Sequence, residues 1–412
     1  MRAIWKQIRI TGGYQEGPIG ANPTIPERQL IDDISSLEDE YERISGAPPE
    51  NLSHWNAGPL YRKRLLPLIF GEGDEDILDY IFSDELPDRG AITAKLGFGQ
   101  FSHESVVTSS GTASISLILH HIATNIPRPI VFLGPTYFSA VHLARRLRLM
   151  HRIVPLEVLN LRFSIQATLG SDAITEPSIF WVTNPVYGTG QPYSERDIVF
   201  LRDLARAGHM LVLDECYALT SDIVAPNIWI PEAVISVCSP HKALNVNAVK
   251  FSVVTASPCH ALAMDHLADV VTGGLSTSTR TAIRHFASTD FERATNAMAA
   301  FVAEIHGLLV ARVPQNVLGL SAGFNQPFMT MNFFGVHAEL GWDRQFLRQV
   351  LWNTGATMIP ACRNWMNPKI GFAFRINLAR ASAQFWPALA RACQFLSSFC
   401  GLPGAQQFES GR

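Results

Sequence analysis

Apolar and polar positions alternate along this chain in two rhythms, and the places where one gives way to the other mark its elements. Leu30, Ile31, Ile34, Leu37 and Tyr41 recur at helical spacing among acidic residues, which predicts an amphipathic helix over 27–45. From Gly46 to Gly73 that rhythm is lost in Pro, Gly and Asn, with Trp55 and Tyr61 interspersed, a texture expected of a segment that wraps over another surface and lines a site. From Val106 onward short β-branched runs alternate with helical ones. Strands are predicted over 106–108, 130–133, 179–183, 210–214, 234–238 and 251–255.

Alternation of that kind predicts an α/β fold, a large domain with a mostly parallel sheet flanked by helices. Past Phe291 the texture changes to a long helical stretch, then a strand over 328–334, a helix over 344–352 and a strand over 372–377, which reads as a smaller α+β domain. The expected division is an N-terminal helix and wrapping segment over 1–80, a large domain over 81–290 and a small C-terminal domain over 291–412.

Composition narrows the classes of function. The 412 residues are 47% hydrophobic, enough for a large core and two domains, and the formal net charge of −3 leaves no excess of either sign to grip nucleic acid or an anionic membrane. Six cysteines without paired metal-ligand spacing, in a chain of this size, read as reduced packing thiols, and no metal site is expected. The first residues form no apolar signal core, and no later run is expected to reach the roughly 20 apolar residues that span a bilayer. A cytoplasmic location is expected by default.

Four strand ends carry candidate chemistry. Thr108-Ser109-Ser110-Gly111-Thr112 follows the first strand and opens an apolar helix, where free N–H groups and the helix dipole suit a phosphate. In isolation the same residues read as an ordinary helix cap. Thr183-Asn184-Pro185, followed by Gly188-Thr189-Gly190, lies where ligands of open α/β sheets bind, although an Asn-Pro turn explains it equally. Asp214 ends an apolar strand with Tyr217 three residues on. A buried carboxylate there requires a cation such as a protonated ring nitrogen, the alternatives being a helix cap or a metal ligand. Finally, Ser239-Pro240-His241-Lys242 puts a lysine beside a strand end, where desolvation frees an amine to form a Schiff base. Together an anion cradle, an Asn, an Asp and a Lys converge on one pocket.

These motifs, in this order, resemble the pyridoxal-phosphate-dependent enzymes of fold type I, in particular the class I and II aminotransferase family, over most of the chain and least before about Tyr80. The resemblance implies an aspartate aminotransferase-like fold and pyridoxal 5'-phosphate held by Lys242. It implies that Ser239 of Ser-x-x-Lys contacts the phosphate, that Asp214 pairs with the pyridine nitrogen, and that Tyr217 and Asn184 share the ring oxygen. Ser110, Gly111 and Thr112 match the phosphate loop, and Tyr137 the aromatic that stacks on the ring. Arg375 in Phe374-Arg375-Ile376-Asn377 matches the arginine that takes the substrate carboxylate, with Asn184 beside it.

Tyr80 resembles the tyrosine that reaches a neighbouring subunit's phosphate, a packing role being the other reading. A homodimer with shared active sites is implied. Two departures stand out. Lys250 replaces the arginine of Gly-x-Arg-x-Gly, a point charge in place of a bidentate fork. His241 stands where a small residue is usual, with proton transfer, phosphate contact and packing all open.

The implied activity is an aminotransferase acting on an amino acid, Lys242 moving the proton at Cα. Elimination or replacement at the β or γ carbon, or cyclisation, is the alternative, since fold does not settle reaction. A sugar- or nucleotide-binding protein without catalysis is a third reading. Arg280, Arg284, His54 and Trp55 are weaker candidates for the side-chain pocket, with ordinary surface or packing roles as the alternative.

Overall fold

The computed structural model describes residues 27–53, 89–160, 162–170, 176–313, 327–333 and 344–399, with positions 60, 61, 64, 83 and 86. The six expected strands of the large domain join one more, His151–Pro155, in a seven-stranded sheet. In spatial order it runs Glu104–Thr108, Ser252–Ala256, Val234–Cys238, Met210–Glu215, Ile179–Thr183, Ile130–Gly134 and His151–Pro155. Every pairing from Val234–Cys238 to His151–Pro155 is parallel, and Ser252–Ala256 runs antiparallel to both of its neighbours. Strands such as Ile179-Phe-Trp-Val-Thr are buried at every position, as continuous apolar runs must be when helices cover both faces of a sheet.

Side-chain alternation divides the sheet's apolar residues between two layers. Phe132, Trp181, Val212 and Val237 pack beneath the helices Gly111–Asn125, Phe138–Arg146 and Pro258–Val271, while Leu133, Phe180, Val182, Leu211 and Leu213 face the other layer, with Leu201 and Leu204 of the helix Glu195–Arg206. By the same alternation Asp214 and Glu215, adjacent in sequence, leave the strand on opposite faces.

A second, three-stranded antiparallel sheet joins Phe328–Phe333, Phe372–Asn377 and Ile359–Pro360, with Arg375 opposite both Thr330 and Ile359. The helix Glu27–Ser45, bounded as its periodicity predicts, packs through Ile34 and Leu37 against Leu347 and Leu351 of the helix Arg344–Thr354. His151–Pro155 was not anticipated. It is a sheet-edge strand, only partly buried along its length, so it carries a weaker apolar signature than the central strands.

The expectation of no bilayer-length apolar segment is corrected by Thr289–Arg312, a helix of 24 residues apolar enough by length and composition to cross a membrane. In this fold Phe291, Ala294, Met298, Phe301, Val302, Ile305 and Leu309 form a helical stripe on that segment and are buried in the core.

The small sheet reaches the large one through the turn Ala361–Asn364. Thr136 donates its N–H to the Asn364 carbonyl at 3.1 Å, and Asn367 donates to the Leu156 carbonyl at 3.2 Å. Gly134 lies so close beneath this turn that a β carbon there would stand 2.6 Å from the Trp365 carbonyl oxygen. Backbone cannot yield as a flexible side chain would. Gly134→Ala should therefore destabilise the protein by about 1–3 kcal/mol, read as a lower urea midpoint at unchanged slope.

Candidate active site

The anion cradle forms as the motif suggests. Ser110, in extended backbone, caps the helix Gly111–Asn125 by accepting the Ala113 N–H at 3.2 Å, so the capping reading holds, and the helix still presents its positive N-terminal end. A β carbon at Gly111 would stand 2.6 Å from the Cys216 sulfur. Only glycine allows the cradle to sit this close to the end of the Met210–Glu215 strand. Thr112 Oγ1 lies 3.3 Å from the Tyr137 hydroxyl, which ties the cradle to the expected ring-stacking aromatic.

Lys242 stands on a single helical turn, Pro240–Ala243, directly after the strand Val234–Cys238, with proline where a helix start favours it. Its ammonium nitrogen is 4.3 Å from the Tyr217 ring centroid and 5.1 Å from that of Tyr137. Two aromatic faces thus hold the amine where a carbonyl carbon can reach it. Asp214 is only 3% exposed, and its Oδ1 accepts the Cys216 N–H at 3.3 Å. Burial pushes its carboxyl above the usual carboxylate range, opposed by Lys242 and by hydrogen bonds from Cys216. Such an acid is stabilised by a cation placed against it, which is what a protonated pyridine nitrogen provides.

Arg375 comes from the small sheet. It is buried, lies 5.3 Å over the Phe328 ring and donates from Nη2 to the Ser53 carbonyl at 2.8 Å. Phe328 in turn meets Tyr217 edge-on at 5.5 Å, which links the expected carboxylate site to the lysine. Burial lowers the Arg375 pKa, and the neighbouring Tyr187 and Tyr217 oppose that shift. Pro185, Tyr187, Gly188, Tyr217 and Phe328 line a narrow cleft between the two sheets. Gly188 takes a φ of +73° there, with the Arg375 side chain at van der Waals distance from its missing β carbon.

Other expectations change. Ser239, fully buried, donates its hydroxyl proton to the Phe251 carbonyl at 2.8 Å, so the hydroxyl that was to hold a phosphate is already committed within the protein. His241 is also fully buried. Successive residues of a helical turn diverge by about 100°, and while Lys242 faces the cleft His241 enters the core against Phe251, Phe291 and His285, with Nε2 3.0 Å from His285 Nδ1. Burial holds its pKa down to about 3, so near neutral pH it is an uncharged packing residue rather than a proton shuttle.

Lys250 donates to the Asn247 carbonyl, and burial with the nearby Lys242 lowers its pKa, consistent with a second positive charge facing the same site. Arg280 is buried and Arg284 exposed on the helix Thr277–Ala287. Tyr80, His54 and Trp55 lie outside the described residues.

Asn184 departs from its expected role in one respect. Its Nδ2 donates at 2.9 Å to Glu215 and at 2.9 Å to the Asp222 carbonyl, leaving the buried Oδ1 without a protein hydrogen bond. Glu215 itself was missed in the sequence, although a second acid beside Asp214 at the end of an apolar strand was the available signal. Tyr187 was missed too; it follows the Asn-Pro turn, is buried, and its ring lies 5.8 Å from that of Tyr137.

A glycine-lined anion cradle, a caged lysine, a buried acid and a buried arginine around one cleft fit pyridoxal phosphate. The orphaned Asn184 oxygen is a further sign that a bound group completes the site. These features define the class as a pyridoxal-phosphate-dependent transferase. The chain matches the family model of aminotransferase class I and II over residues 78–382 and belongs to that family, whose enzymes depend on this coenzyme.

No curated protein matches it in sequence. Its fold is similar to that of YbdL from Escherichia coli, identified as having a methionine aminotransferase function, at TM-score 0.67 and 16% identity over 90% of this chain and 100% of that one. It is similar to N-succinyldiaminopimelate aminotransferase from Mycobacterium tuberculosis, at 0.67 and 15% over 90% and 99%. The aspartate aminotransferase of Rhizobium meliloti gives 0.67 and 13% over 92% and 98%. At these identities the likeness speaks for the fold.

The burial of Glu215 has a measurable consequence in the coenzyme-free protein. Its carboxyl is pushed up to about 7, burial outweighing the hydrogen bonds it accepts from Val224, Asn184, Ser236 and Ala225. An acid raised on folding contributes stability that is fully present below its unfolded pKa near 4.5 and is lost as pH rises through the folded value. Between pH 4.5 and 7 the unfolding free energy of the wild type should fall relative to Glu215→Gln, by up to about 3 kcal/mol, and the difference should level off above that window. Urea titrations at several pH values check this.

Proposed function

We propose that this enzyme is an aminotransferase: it takes the amino group of an amino acid onto pyridoxal phosphate carried by Lys242 and passes it to a keto acid. The observation that carries the reading is the Lys242 amine, caged by Tyr137 and Tyr217 one strand away from the buried carboxyl of Asp214. When bound, the coenzyme supplies an electron-withdrawing ring that stabilises negative charge at the substrate Cα. Asp214 keeps that ring protonated, since its own burial is relieved only by a cation. Ser110, Gly111 and Thr112 hold the phosphate at the helix N-terminus, and Lys250 neutralises it from the other side.

Arg375 fixes the substrate carboxylate, where a planar guanidinium matches a planar anion and orients the Cα–H bond. Lys242, once free, would take the proton from the substrate Cα and return it to the coenzyme carbon on the far side of the amino nitrogen, the proton transfer that transamination requires. Tyr187 and Phe328 close the cleft with apolar surface and help keep water out. A homodimer belongs to the same proposal, supported by family membership. So does a cytoplasmic location, supported by the free thiols of Cys216, Cys238 and Cys393 in the buried interior.

Incubation with ¹⁵N-labelled amino acids and either pyruvate or 2-oxoglutarate tests the reading. Label should appear in the aminated acceptor, whereas free ammonia with no aminated acceptor contradicts amino transfer and indicates elimination. In the same assay Lys242→Ala should lower turnover by at least about 10³-fold, because general acid–base catalysis and coenzyme attachment are lost together. Arg375→Lys should raise the KM for the amino acid by about 10- to 100-fold, the value of a charged bidentate hydrogen bond, with a smaller change in kcat.

A further inference from the structure

We infer that Ser53 is a positioning residue of this site: its hydroxyl and its carbonyl together hold Arg375, backbone and guanidinium, in the orientation that receives the substrate carboxylate. This rests on the reading of Arg375 as the carboxylate-binding arginine of an aminotransferase, and it adds to that site a residue from the N-terminal part of the chain.

Two contacts place Arg375 at the cleft. Its side chain lies at van der Waals distance from the position a Gly188 β carbon would take, and its guanidinium is 5.3 Å from the Phe328 ring centroid. Gly188 and Phe328 both line the cleft. A guanidinium at the end of a long flexible stem must be tied down before it can present one face to an anion. Tyr187, another lining residue, hydrogen-bonds it, and the Ser53 carbonyl accepts from Nη2 at 2.8 Å. Because the guanidinium is planar, tying one N–H bond to a fixed acceptor sets where the others point.

The contact between the two residues is reciprocal. While the arginine side chain donates to the serine backbone, the serine hydroxyl donates to the arginine backbone carbonyl. That hydroxyl also accepts the Ile359 N–H at 3.0 Å, and Ile359 is paired with Arg375 in the small sheet. One hydroxyl therefore bridges two paired strands at the residue from which the guanidinium extends.

Ser53 is itself held on every side. Its N–H donates to Asn51 Oδ1 at 3.0 Å, and Asn51 Nδ2 donates to Glu38 Oε1, on the helix Glu27–Ser45, at 2.7 Å. The Leu52 N–H reaches the Thr357 carbonyl at 3.2 Å, and the Leu52 carbonyl accepts the Asn377 N–H at 3.0 Å. Every polar group of Ser53 is thus committed, and the residue has no exposed surface. Removing the hydroxyl leaves a buried N–H and a buried carbonyl each without that partner and loosens the peptide that aims the guanidinium.

Two measurements test this, one of them without coenzyme or substrate. In the coenzyme-free full chain, phenylglyoxal labelling of arginines would be mapped by mass spectrometry. Arg375 should be labelled at least about 5-fold faster in Ser53→Ala than in the wild type, while the buried Arg280 keeps its wild-type rate. An unchanged rate at Arg375, or equal increases at both arginines, would overturn the inference, the second outcome because it marks a general loosening of the fold.

In the coenzyme-loaded enzyme, Ser53→Ala should raise the KM for the amino acid about 10-fold, the worth of one hydrogen bond, and change kcat by less than about 2-fold. In an Arg375→Ala background the same substitution should add less than about 2-fold to KM, because Ser53 acts through the arginine. Ser53→Cys, close in size and a weak donor and acceptor, should raise KM about 3-fold, and it carries the test if the alanine variant does not fold. A KM unmoved by either substitution, or one raised by the same factor with and without Arg375, would overturn the inference. A wild type that aminates no acceptor removes the aminotransferase reading and the role of Ser53 in it; the labelling experiment tells that failure apart from a missing Ser53–Arg375 link.

Discussion

The structure is organised around a charge that is expensive to bury. Asp214 lies at the carboxyl end of a strand that is apolar along its length and covered on both faces, so its carboxylate has almost no access to water. An unpaired ion in such a place costs several kcal/mol even after relaxation, and the fold relieves that cost by bringing cations to it. Lys242 arrives from the adjacent strand and Lys250 stands near Lys242; on the proposed reading the coenzyme's ring nitrogen would bring a third positive charge. On the proposed reading, the burial that leaves the Asp214 carboxyl in want of a cation is what favours a protonated ring nitrogen against it.

The parallel sheet is what allows these groups to meet. Strands that run the same way deliver their following turns to one edge, so a Gly-rich turn, an Asn-Pro turn, a carboxylate and a lysine, scattered over 130 residues of sequence from Ser110 to Lys242, surround one cleft. The small sheet closes the cleft from the other side with Arg375 and Phe328, and the turn seated on Gly134 joins the two sheets. On the proposed reading, substrate recognition and chemistry thus come from different sheets. A small displacement of one against the other would change the fit of the amino acid without disturbing the lysine.

Much of this was legible in the chain itself, because the strands that matter are covered on both faces and therefore read as plain apolar runs: 179–183 and 234–238 fall where expected, and the N-terminal helix falls on 27–45. The order of the motifs carried the family. What was hidden depends on direction rather than on residue type. Ser239 and His241 have the right chemistry at the right positions, yet one hydroxyl turns to a backbone carbonyl and one imidazole turns into an aromatic core. Glu215 was hidden for the opposite reason. It looks like a duplicate of Asp214 in the sequence, and only the alternation of the strand sends it to the other face, to hold Asn184 instead of the coenzyme. Local pattern names the residues at a strand end, and packing decides which way each one points.

The most direct measurement is of where the coenzyme attaches. The full chain would be reconstituted with pyridoxal phosphate, reduced with borohydride, digested and mapped by mass spectrometry. The expected result is a single peptide carrying the reduced coenzyme on Lys242, with attachment strongly diminished in Asp214→Ala. Attachment at another lysine, no attachment, or attachment indifferent to the loss of Asp214 would contradict it.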